Sequence, residues 1–117
     1  MEFEGSKTPW HIGSHPCNDQ SRYTVRSDSN TVIAHVSQPS DNEQRARADA
    51  DLRLIAAAPE LLEALRELIQ TYEYSLRIGY ERIIELGDDC DSPEIMITKD
   101  SSLNKAKAAI AKALGQQ

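Results

Sequence analysis

The chain has 117 residues, 13 Lys plus Arg against 19 Asp plus Glu, and a formal net charge of −6. That length fits one compact domain, and no apolar run nears the ~18 residues of a membrane span. An acidic chain with no basic stripe is also a poor match for duplex DNA, whose binding rests on neutralising phosphates.

Taken in chain order, residues 1–40 form a β-rich front and residues 41–117 a helical back. The opening segment Met1–Lys7 has no basic flank leading into an apolar stretch, so no signal peptide is expected there. Pro9-Trp10-His11-Ile12 suits an edge strand, because proline is tolerated at strand starts. Trp10, the one tryptophan, is expected to anchor the sheet to the helices. Arg22–Arg26 alternates and Thr31–Val36 is rich in β-branched residues. Ser27-Asp28-Ser29-Asn30 between them is turn chemistry, which predicts a hairpin.

A first helix is expected over 41–58, capped by Asp41 or Asn42. Pro59 should end or kink it and open a second helix to Leu86. In that second helix Leu62, Leu65, Ile69, Tyr72, Leu76, Gly79 and Ile83 recur at spacings of three and four. Such a seam packs against the chain's own helices or against another copy. Gly87 should stop the helix. An acidic loop follows over 87–94, then a short strand or extended segment over Glu94–Thr98. Asp100, Ser101 or Ser102 can cap a last helix over 103–114, expected to lie antiparallel on the long one. The fold class is thus α+β: a small antiparallel N-terminal sheet of two or three strands, then a long helical hairpin or bundle, in one domain spanning 1–117.

No residue pattern commits the chain to a reaction. It has no phosphate-cradling glycine loop, nucleophile elbow or H-E-x-x-H pair, so neither catalysis nor a cofactor is expected. His11, His15 and Cys17 with Cys90 do not reproduce the paired ligand spacing of a zinc site, and no metal is expected. Both cysteines are read as free thiols.

The arginines are more suggestive. Arg22 and Arg26 share one strand face, with the Thr24 hydroxyl between them. Together with Trp10, His35 and Arg53 they are the candidate lining for a small anionic, base-containing ligand. Guanidinium grips phosphate in bidentate fashion and an aromatic ring offers a stacking face. A second candidate surface is the run Glu60, Glu63, Glu67, Glu73, Glu81 and Glu85 on the second helix, which would meet a basic partner.

Four stretches carry a resemblance: Thr8-Pro9-Trp10, the Val32-Ile33-Ala34 strand, the run from Ala50 through Ala56-Ala57-Ala58-Pro59-Glu60-Leu61-Leu62-Glu63-Ala64-Leu65, and Lys107–Leu114, which closes the pattern. The chain resembles a family of small proteins from tailed bacteriophages and prophages. It departs by lacking a Gly-Pro pair before Trp10 and by carrying Leu52 in place of Ala. The resemblance implies a phage accessory protein in the cytoplasm of a bacterial host, working by binding. By analogy of class, two expectations follow. One is a homo-oligomer that sequesters a nucleotide-type immune signal, as anti-CBASS and anti-Thoeris sponges do. The other is a protein that blocks a host defence protein directly, in the manner of anti-CRISPR proteins; a structural or regulatory phage role is a third.

Overall fold

The computed structural model describes residues 2–13, 23–37 and 40–116. Strands β1 (His11–Gly13), β2 (Thr24–Arg26) and β3 (Val32–His35) precede helices α1 (Asn42–Glu85), α2 (Pro93–Lys99) and α3 (Ser101–Ala113). The chain divides into two compact units, Glu4–Leu61 and Leu62–Gln117 with Met1–Phe3. The α+β class expected from the sequence is the one observed.

In the first unit the sheet runs β1-β2-β3, antiparallel throughout. Its central strand is buried along its whole length: Val25 is fully enclosed, Thr24 and Arg26 nearly so. The two polar members are satisfied locally, as burial demands. Thr24 Oγ1 donates to the Gly13 carbonyl at 2.6 Å, and Arg26 Nη1 donates to the Asn30 carbonyl at 2.9 Å. The expected hairpin closes through Ser27. Its amide donates to the Thr31 carbonyl, its carbonyl accepts from Asn30 N–H, and its hydroxyl accepts from Thr31 N–H. Asn30 sits at φ 67°, a left-handed turn position that asparagine tolerates. Ala48 and Leu52 of α1 complete the buried apolar set of this unit.

Helix α1 corrects one expectation. Asp41 caps it, accepting from Glu43 N–H at 3.3 Å, but the helix does not end at Pro59. One 44-residue helix replaces the two expected. An interior proline costs roughly 3 kcal/mol, because it removes one rung of the ladder. Here it is flanked by Ala56, Ala57 and Ala58 before it and Glu60, Leu61 and Leu62 after it, all strong helix formers. The helix stops where expected: Gly87 takes φ 86°, with Asp88 N–H on the Ile83 carbonyl and Gly87 N–H on the Ile84 carbonyl.

A second correction concerns Glu94–Thr98, expected to be extended and observed as helix α2. Capping decides the outcome against the β-branched residues. Ser92 Oγ accepts from Ile95 N–H at 3.3 Å, Pro93 occupies the first turn, and Glu94 lies at the positive end of the dipole. Helix α3 is capped by Asp100, one of the three residues expected to do so.

Gly13 is required by its neighbour. A Cβ there would lie 2.7 Å from Arg26 Cδ, on a side chain already enclosed and bonded to Asn30. Gly13→Ala should therefore destabilise the protein by about 1–3 kcal/mol, measured as a lower urea midpoint at unchanged slope.

Candidate functional site

The candidate surface is built on the part of α1 that belongs to the second unit, and it follows from helical geometry. At roughly 100° per residue, three kinds of side chain fall on three faces. The first is the inner face, where Leu62, Leu65, Ile69, Leu76 and Tyr80 are half-buried. Helix α3 meets this face with Leu103, Ala106 and Ile110, and the two leave between them an open apolar groove of about 420 Å³ bounded by Leu65, Leu68, Tyr72 and Leu103.

Two polar contacts fix α3 on α1. Lys107 pairs with Glu73, whose buried Oε1 faces the ammonium. Tyr72 donates its hydroxyl to Asp100 Oδ2 at 2.6 Å, while Asp100 Oδ1 accepts from Leu103 N–H at 2.9 Å. The Tyr72 hydrogen bond first, then the Leu103 amide, holds the Asp100 carboxyl below its ordinary 3.8. The same bond, joined by the charge of the carboxylate, pushes Tyr72 above its ordinary 10.0.

The second face is acidic. Glu63, Glu67, Glu81 and Glu85 are exposed and in phase, and among the described residues none of the four is in a salt bridge. Tyr74 (64% exposed) and Ile78 (40%) occupy its centre. Glu73, expected on this face, turns inward to Lys107, and Glu60 is exposed on the adjoining part of α1. The third face is an exposed apolar stripe carrying Leu68, Tyr72, Gly79, Ile83 and Leu86. The seam expected from the sequence is therefore split, with Leu62, Leu65, Ile69 and Leu76 half-buried and Tyr72, Gly79 and Ile83 exposed.

The arginine set lies elsewhere. Arg22 is outside the described residues, as are His15 and Cys17. Arg26 is enclosed and serves the hairpin through Asn30. Thr24, expected to offer a free hydroxyl, spends it on Gly13. Trp10 is half-buried with its indole N–H on the Ser6 carbonyl at 3.1 Å. His35 is exposed and meets the Tyr23 ring edge-on, centroids 4.7 Å apart. Arg53 is exposed on α1, in the first unit. Cys90 is a free, half-buried thiol. Among the described residues no three His, Cys, Asp or Glu side chains gather to hold a metal, and no helix is long and apolar enough to cross a membrane.

Sequence reading missed Tyr74 and Ile78 as surface residues, although their spacing of four places them in phase with the glutamates. It also missed the Tyr72–Asp100 bond, which joins residues 28 apart and leaves no local signal.

A three-stranded antiparallel sheet followed by one long helix and two short ones makes this an α+β protein, and a bacteriophage family matches it along its length. The chain belongs to the family described as Salmonella phage P22 protein Y8K6, whose model matches residues 1–117. No curated protein and no solved structure matches it. The phage resemblance drawn from the sequence is thereby supported at the level of the family.

A carboxylate whose pKa is lowered on folding stabilises above its ordinary value and loses that contribution as pH falls through the folded one. Tyr72→Phe should therefore melt lower than wild type at about pH 7, and the gap should narrow towards about pH 3, measured by thermal circular dichroism.

Proposed function

We propose that this phage protein is a non-catalytic counter-defence factor that binds a basic host protein through the acidic face of α1. The observation that carries the reading is the alignment of Glu63, Glu67, Glu81 and Glu85 around exposed Tyr74 and Ile78. An exposed aromatic and an aliphatic side chain set between two pairs of carboxylates along one face combine an anchoring contact with charge steering.

Sequestration of a nucleotide-type immune signal is the alternative. It draws on Trp10, His35 and Arg53, and it would require Arg26 to leave the Asn30 carbonyl. The acidic face is preferred for that reason.

The test compares the tagged full chain with a variant carrying Glu→Gln at positions 63, 67, 81 and 85. Wild type should retain one basic host protein at low salt and release it as salt rises. Four exposed charge pairs at ~0.2–1 kcal/mol each predict a loss of about fourfold to nearly a thousandfold in affinity for the variant, read by titration calorimetry with the purified partner. Equal capture by the variant would overturn the reading. Strong thermal stabilisation by a cyclic or ADP-ribose-type nucleotide would favour the alternative.

A further inference from the structure

The apolar stripe of α1 enters the contacts described so far only at one end, where the Tyr72 hydroxyl bonds to Asp100 and Leu68 bounds the groove. It runs Leu68, Tyr72, Ser75, Gly79, Ile83, Leu86, at spacings of four, three, four, four and three, the signature of a helix–helix seam. No charged residue falls on these six positions, in a stretch that carries Glu73, Arg77, Glu81, Arg82 and Glu85 on its other sides. Leu68 is 65% exposed and Leu86 76%, so the chain itself leaves the ends of the stripe uncovered.

The middle is equally open. A Cβ added at Gly79 would meet nothing within 4 Å. Ser75, the one hydroxyl at the centre, donates to its own helix at the Thr71 carbonyl, 3.0 Å away. It therefore presents no unsatisfied donor to an apolar partner. Small residues at such a point let two helix backbones approach closely.

Size along the stripe is palindromic: large, large, small, small, large, large, with its mid-point level with Arg77. A two-fold axis perpendicular to the helix turns such a pattern onto itself, which is what an isologous interface requires. We propose that a second copy of this chain docks antiparallel on this stripe, Ser75 and Gly79 at the crossing and Leu68 against Leu86 of the second copy.

Opposed helix dipoles favour the antiparallel direction. Leu86 of the second copy then covers the outer mouth of the groove bounded by Leu68 and Tyr72. The acidic face lies roughly 140° round the helix, so it stays accessible in the dimer.

Sedimentation equilibrium on the full chain tests the proposal. Wild type should show a concentration-dependent dimer. Leu68→Glu and Leu86→Lys should each weaken it at least tenfold, with helix content unchanged by circular dichroism. Mixing the two variants should restore a heterodimer, because the new carboxylate meets the new ammonium only in the antiparallel arrangement. Gly79→Leu should abolish the dimer without touching the monomer, and it serves as the control if a charged variant loses helix. The Glu→Gln variant of the acidic face should dimerise like wild type, which keeps failure of this proposal distinct from failure of the functional one. A wild type that stays monomeric, a dimer that survives Gly79→Leu, or a mixture that fails to recover would each overturn it.

Discussion

One carboxylate organises the second unit. Asp100 ends α2, starts α3 and receives the hydroxyl of Tyr72 from α1. The start of a helix leaves backbone N–H groups without partners, and a side chain that caps it is fixed in place by doing so. Because the capping group also bonds to another helix, the direction in which α3 departs is set by a side chain of α1. The Lys107–Glu73 pair, a little under two turns further along α3, then fixes its rotation. These two polar contacts orient α3, while the half-buried Leu62, Leu65, Ile69 and Leu76 of α1 and the buried Leu103 of α3 supply the apolar burial of this unit.

With α3 held there, α1 divides its circumference. The face towards α3 is apolar and half-buried. A second carries carboxylates around Tyr74 and Ile78, and a third is apolar yet exposed. A helix with more apolar surface than its own chain covers is suited to assembly. One with an independent acidic face is suited to meeting a basic surface at the same time.

Much of this was legible in the sequence, for identifiable reasons. The strands at Thr24–Arg26 and Val32–His35, the Ser27–Asn30 turn and the Asp41, Gly87 and Asp100 boundaries are local signals, and each appears where its chemistry places it. Pro59 misled because its cost is local while helix propensity is summed over the alanines and leucines on both sides. Glu94–Thr98 misled because Ile95, Ile97 and Thr98 favour strands, whereas Ser92 and Pro93 in front of them impose the helical start. The division of the seam could not be read at all. Spacing shows that Leu62 and Gly79 lie on related lines of one helix, but which line α3 covers is settled by Tyr72–Asp100 and Glu73–Lys107, contacts between residues distant in sequence.

The close approach of Gly13 to Arg26 carries a consequence for how this chain can change over generations. Any side chain at position 13 collides with the arginine stem, and the arginine cannot withdraw without abandoning the carbonyl that closes the hairpin. The two positions are therefore sterically coupled. A larger residue at 13 becomes tolerable only in a lineage where 26 has first become shorter, so within the family glycine at one and a long side chain at the other should drift together.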